Sequence, residues 1–162
     1  MSVNPYTEIV LTPFQERKKL EVILQESFEG WYLRHASSKL YQLQLVFSAL
    51  LNGLPVGLAM LDEPSPTSTY LFYIAVRRDY RRMGIASKLV DHCISYSISV
   101  GKKEIFAAVE ESNKPSLNLF TSKGFKRIGF REMSKRFGLT EAITMYRRMV
   151  VVPGESLLML KL

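Results

Sequence analysis

Apolar residues recur along this chain at two spacings, every second position and every third or fourth, and the change from one to the other outlines its elements. Residues 6–11 read as a first strand. Between 15 and 28, Leu20, Ile23, Leu24 and Phe28 fall on one face of a helix and polar residues fill the other. Gly30 breaks that pattern, and 31–40 reads as a second short helix or an ordered loop. Leu43, Leu45, Phe47, Ala49 and Leu51 then alternate with their neighbours up to Asn52-Gly53. Asn-Gly between two apolar runs signals a hairpin, because both residues tolerate positive φ. Strands are therefore expected near 41–51 and 55–62. The stretch 40–61 carries no charge and is long enough to cross a bilayer. The Asn-Gly-Leu-Pro at its middle and the alternation before it favour two buried strands instead.

A loop is expected over 63–67, followed by TYLFYIAV at 69–76, an uncharged, β-branched and aromatic run that reads as a central strand. Ile85, Leu89, Val90, Cys93, Ile94 and Ile98 share a face of a helix over 84–100, which Gly101 ends. A strand follows at 104–109. Asn113 can cap a helix reaching about residue 123, with Pro115 in its first turn and Gly124 past its end. Strands are expected near 125–133 and 142–152, then a Pro153-Gly154 turn and an apolar tail over 156–162. The unit 69–109 has the length of a right-handed crossover between parallel strands, whereas the earlier strands join by short turns. The expected fold class is α/β (α+β by some schemes), a mixed and mostly antiparallel sheet with flanking helices. One domain would span 1–152, with 153–162 as an extra strand or a contact in a homodimer.

A length of 162 residues suits one such domain. Lys and Arg total 22 against 15 Asp and Glu, a net charge of +7 that favours anionic partners: phosphate-bearing cofactors, acidic substrates or nucleic acid. A single cysteine, Cys93, excludes an internal disulfide and a Cys-rich zinc site, and two histidines argue against a histidine-based metal centre. No metal is expected. The start of the chain lacks the basic and apolar segments of a secretory signal, so a reducing, cytoplasmic setting is expected, with no membrane partner.

The chemistry concentrates between the central strand and the next helix: Val76, then Arg77, Arg78, Asp79, Tyr80, Arg81, Arg82, Met83, Gly84, Ile85, Ala86 and Ser87. A loop that opens a helix aims unpaired backbone N–H groups at one point, and the helix dipole makes that point suited to phosphate. Gly84 lets a ligand approach the backbone, Ala86 keeps the next turn small, and four arginines add positive charge. The spacing Arg-x-x-Gly-x-Ala matches neither a dinucleotide fingerprint nor a phosphate loop ending in Gly-Lys-Ser/Thr. It resembles the acyl-CoA pyrophosphate loop of the GNAT superfamily. Val109, Asn113, Ser116, Leu119-Phe120 and Gly124-Phe125 resemble that family's second block, at the family's distance.

The resemblance implies a GNAT-like sheet with a central, splayed parallel pair, 69–76 and 104–109, that admits the thioester of an acyl-CoA cosubstrate. It implies that the backbone around Ile74 and Val76 pairs with the pantetheine arm, and that Arg81, Arg82, Met83, Gly84, Ile85, Ala86 and Ser87 hold the pyrophosphate. Asn113 would lie near the pantetheine, Phe120 at the position of the family's tyrosine acid, and Lys123 near the CoA phosphates. The implied activity is acetyl transfer from acetyl-CoA to a primary amine by direct attack in a ternary complex. Two departures stand out. Phe120 has no phenol to protonate a leaving thiolate. The carboxylate bases of histone-type and ribosomal-protein-type members are replaced here by Tyr70 and Ala108.

An alkylammonium of pKa about 10.4 must still lose a proton, at a cost of about 4–5 kcal/mol at pH 7. Tyr70, Tyr73, Glu110 and Glu111 are the candidate acceptors, directly or through water. Cys93 falls on an apolar helix face and reads as buried and inert, which disfavours an acyl-cysteine route. His35 and His92 read as surface or structural, and Trp31 as either a core residue or part of an acceptor pocket. Lys123, Lys126, Arg127, Arg131, Lys135 and Arg136 read as the exposed side of a strand and its loop. Acceptor specificity is expected in 26–42 and 133–142. The rival readings are a non-catalytic acyl-CoA-binding or sensing module and, third, a basic nucleic-acid-binding domain, although no aromatic RNA-binding signature accompanies the charge.

Overall fold

The computed structural model describes residues 6–162. Seven strands form one sheet in the order β1-β2-β3-β4-β5-β7-β6, antiparallel apart from the β4–β5 pair. Two compact units divide the chain: residues up to Asp62 with Tyr73–Cys93, and Glu63–Phe72 with Ile94–Leu162.

In the first unit, β1 (Thr7–Leu11) pairs with β2 (Leu45–Leu51), which turns into β3 (Leu54–Ser65). The turn is the expected Asn52-Gly53 hairpin, with φ of 51° and 79°, the twist that suits a two-residue connection. A bulge follows: Ala49 faces Gly57 and Leu50 faces Pro55, so Val56 is the extra residue. A 3-10 helix (Phe14–Leu20), α1 (Glu21–Ser27) and α2 (Gly30–Gln42) follow β1, and Leu20, Ile23, Leu24, Ala36 and Leu40 are buried. Arg17 is buried with them. Its guanidinium donates to the carbonyls of Leu40 at 2.8 Å and Gln44 at 3.0 Å, and also to that of Leu43, so it closes the C-terminal end of α2.

β4 (Ser68–Val76) leads through a 3-10 turn (Arg78–Tyr80) into α3 (Ile85–Ser99). Gly57 sets how closely α3 lies on β3. A Cβ there would stand 3.1 Å from Ile85 Cγ2, 3.2 Å from Leu89 Cδ1 and 3.2 Å from the Ala75 carbonyl. Toward its far end, α3 departs from the expected apolar face, because Ile98 is 57% exposed and Ser97 is the buried residue. Ser97 shares a 2.7 Å hydrogen bond with Thr69 of β4.

In the second unit, Ser68–Leu71 of β4 pairs parallel with Glu104–Ala107 of β5 (Glu104–Glu110). β5 pairs antiparallel along its whole length with β7 (Glu155–Lys161), which also takes β6 (Lys126–Arg127) on its other edge. The helices are α4 (Lys114–Ser122), α5 (Phe130–Phe137) and α6 (Leu139–Met149).

Two expectations about elements are corrected. The loop expected at 63–67 is mostly strand, since β3 runs to Ser65. The strands expected near 125–133 and 142–152 are two residues of β6 followed by two helices. The buried residues there, Met133, Ala142, Met145 and Met149, recur at helical spacing, and Gly138 with φ of 86° separates the helices. The apolar tail is β7, paired on both edges within the chain. That is the extra strand, one of the two roles expected for 153–162.

Candidate functional site

The loop after β4 is held from behind by the end of α1. The Glu26 carboxylate accepts the Arg78 backbone N–H at 2.9 Å and the Arg77 guanidinium at 3.2 and 3.3 Å. Arg81 donates through Nε to the Val76 carbonyl at 2.9 Å and through Nη2 to the Glu26 carbonyl at 3.2 Å. Of the four arginines expected at the mouth, Arg77 and Arg81 are thus turned inward to brace the loop. The backbone donor Arg78 and the neighbouring guanidinium of Arg77 hold the Glu26 carboxyl below its usual range.

Beyond this brace the backbone takes two left-handed steps, at Arg82 with φ of 61° and at Gly84 with φ of 78°. A left-handed arginine is uncommon and costs about 1–2 kcal/mol, so the brace must hold it there. Arg82, Met83 and Gly84 are exposed, and no protein atom lies within 4 Å of the place a Cβ on Gly84 would take. Ile85 is buried and anchors the first turn of α3, with Ala86 and Ser87 half-buried beside it. The amides of this first turn have no carbonyl within the helix to bond. The loop therefore presents backbone donors and a helix N-terminus to open space.

Tyr73 lies on β4 three residues before Val76, and its hydroxyl is 2.7 Å from Nδ1 of His35 on α2. Trp31, 43% exposed, stacks on the imidazole with ring centres 4.8 Å apart and planes 9° from parallel. Phe28 meets the Tyr73 ring edge-on at 5.1 Å. Burial, with a smaller contribution from Lys39, lowers the His35 pKa and favours the neutral ring. Sequence reasoning treated His35 as surface or structural. The available signal was its place in 26–42, but no periodicity pairs a helix residue with a strand 38 positions on. His92 keeps its structural reading: it is partly buried, edge-on to Phe47 at 4.6 Å. Cys93 is fully buried and its thiol is pushed up to about 12, as an inert core residue should be.

The other expected residues sit in the second unit. Tyr70 is buried against Phe72, ring centres 4.6 Å apart. An odd spacing along a strand puts Tyr70 and Tyr73 on opposite faces, so the two do not combine. Glu110 is exposed at the end of β5. Glu111 is occupied by Arg127, at 2.9 Å from Nη2, and by Ser156, and these bonds hold its carboxyl low. Arg136 donates to the buried Glu104 at 2.9 Å, so it and Arg127 are partnered rather than simply solvated. Asn113 caps α4, its Oδ1 accepting the Ser116 N–H at 3.2 Å. Phe120 is buried edge-on to Phe125, a packing role. Lys123 ends α4, half-buried. Among the described residues no group of three His, Cys, Asp or Glu could hold a metal ion, and no helix is long and apolar enough to cross a membrane.

A family model for the acetyltransferase (GNAT) family matches residues 8–125. The chain belongs to the GNAT family. Within it, this chain is 37% identical over 87 residues to the N-alpha-acetyltransferase MAK3 of Arabidopsis thaliana, a match covering 52% of this chain and 46% of that relative. It thus spans less than half the length of the relative. Among GNAT structures, that of the ribosomal-protein-S18-alanine N-acetyltransferase from Escherichia coli superposes with a TM-score of 0.69 at 24% identity, over 76% of this chain and 80% of that one. A NatC complex bound to Gag peptide and CoA superposes with a TM-score of 0.68 at 24% identity, over 96% and 98%. These likenesses show the GNAT fold.

Proposed function

We propose that this GNAT protein transfers an acetyl group from acetyl-CoA to a primary amine, by direct attack of the amine on the thioester while both substrates are bound. The observation that carries this reading is the braced loop, with left-handed Arg82 and Gly84 opening onto the N-terminus of α3. Its residues suit a diphosphate. The amides from Arg82 to Ser87 are donors, the helix dipole adds positive potential, and Gly84 leaves room for close approach. Arg81 occupies the Val76 carbonyl, so pairing with the pantetheine arm falls to Ile74 and to the Val76 N–H. Asn113 and Lys123 are carried over from the family's second block as further donor contacts.

Amine acetylation needs little covalent help from the protein. Positioning the two reactants and polarising the thioester carbonyl through a backbone N–H supply most of the rate. The relative named an N-alpha-acetyltransferase supports an α-amine, the N-terminus of a peptide, as the acceptor class. A cytoplasmic setting belongs to this proposal.

The test is calorimetry with CoA on the wild type and on Gly84→Glu, with circular dichroism as the control for folding. Side chains are strained at this φ, and a carboxylate here would meet a diphosphate with like charge. The folded variant is expected to lose measurable CoA binding. Wild-type affinity in the folded variant would remove the loop assignment.

A further inference from the structure

We infer that the Tyr73 hydroxyl and the His35 imidazole together accept the proton of the incoming ammonium, with His35 acting through Tyr73. The inference rests on the acetyl-transfer reading and identifies the proton acceptor that the family's usual carboxylate positions lack here.

Four observations carry it. Tyr73 and His35 are 2.7 Å apart, hydrogen-bond distance for a phenol donating to a neutral imidazole. The pair is clamped, by Trp31 stacked on the imidazole and by Phe28 against the phenol. Tyr73 precedes Ile74, the strand position assigned to the donor's arm, and lies beyond Leu71, the last residue of β4 paired in parallel with β5. The rival acceptors are otherwise placed: Tyr70 points to the other face of β4, Glu111 is engaged by Arg127 and Ser156, and Glu110 lies exposed at a strand end. Lys39 along α2 and Tyr73 on β4 are titratable groups that act on the imidazole, while Phe28 at the end of α1 brings no charge. Burial and Lys39 both favour the neutral ring, the form able to take a proton near neutral pH.

The proton balance is simple. The ammonium gives one proton to Tyr73 Oη as the phenol proton passes to His35 Nδ1, leaving a neutral amine, a neutral tyrosine and an imidazolium. The amine nitrogen then bonds to the acetyl carbonyl carbon. The carbon–sulfur bond breaks with its electron pair on sulfur. The second amine proton goes to that thiolate, giving amide and free thiol, and His35 returns its proton to solvent.

The experiment is the pH dependence of kcat/KM for acetyl transfer to a peptide amine, in wild type, Tyr73→Phe and His35→Asn. Asparagine can keep an acceptor near the Nδ1 position but cannot take a proton. CoA affinity and melting temperature are measured alongside. Both variants are expected to lose about a hundredfold or more in kcat, the lower end of the typical scale for a general base. The wild type is expected to show an acidic limb below neutral pH that vanishes in His35→Asn, with CoA affinity within about twofold of wild type. A His35→Asn protein with wild-type rate and an unchanged limb overturns the role. So does one whose rate falls only in step with its CoA affinity and melting temperature, since His35 would then be a mere tether. A wild type that binds CoA but shows no amine-dependent release of thiol overturns the acetyl-transfer reading itself, a different result from a working wild type with an indifferent variant.

Discussion

Glu26 governs the loop from a distance. Its two carboxylate oxygens hold the Arg78 amide and the Arg77 guanidinium, and its own carbonyl receives Arg81. Replacing it with alanine should leave the fold intact and weaken CoA binding by up to about tenfold, seen by calorimetry, because the left-handed step at Arg82 loses its support. Its carboxyl, like that of Glu111, titrates below the ordinary 4.5 in the folded chain. The unfolded chain therefore binds more protons as the pH drops below 4.5, so the stabilisation these groups give is present above that value and is lost as pH falls through their folded values. Melting temperatures should decline in that acid range, and Glu26→Gln should flatten part of the decline. Arg17 is a different case, because its hydrogen bonds are buried. Arg17→Met should cost about 2–4 kcal/mol in denaturant unfolding, leaving the last carbonyls of α2 without donors. Neither Glu26, which partners the loop, nor Arg17, which partners α2, is marked by any motif; only tertiary geometry shows which charges are engaged.

At the scale of elements, the reading from sequence was good where turn chemistry and spacing agreed. Asn52-Gly53, the run 69–76 and the Asn113 cap are each set by short-range rules, and each stands where expected. It failed at 130–149, where Phe130, Met133 and Phe137 at helical spacing lie among five charged or polar residues. Gly138 was the overlooked stop signal. Gly57 shows how one element positions another. Gly57→Ala would push its Cβ against Ile85 and Leu89 at the start of α3, the helix whose first turn is proposed to hold the donor. The expected result is a loss of about 1–3 kcal/mol in stability together with several-fold weaker CoA binding, because moving α3 moves the amides. A change in stability with CoA affinity untouched would show that the helix start is held by the Glu26 brace alone.

For the whole molecule, β7 is the extra strand among the two roles expected for the tail. It pairs along its length with β5 and, on the other edge, with Lys126 and Arg127, burying Leu157 and Leu158. Deleting 153–162 should therefore unfold the second unit, with loss of cooperative melting, rather than convert a folded dimer to a folded monomer. The loop proposed to hold the donor was singled out beforehand because a Gly at fixed spacing after a buried strand is a local pattern. The Tyr73–His35 pair was only half legible, since strand and helix meet there through the fold alone. The most direct measurement is release of free thiol from acetyl-CoA, with and without a panel of peptide and small-molecule amines, on the wild type and on folded Gly84→Glu. The account expects release that depends on an amine, highest for a peptide α-amine, and absent in Gly84→Glu. A folded, CoA-binding wild type that releases no thiol with any amine would contradict it.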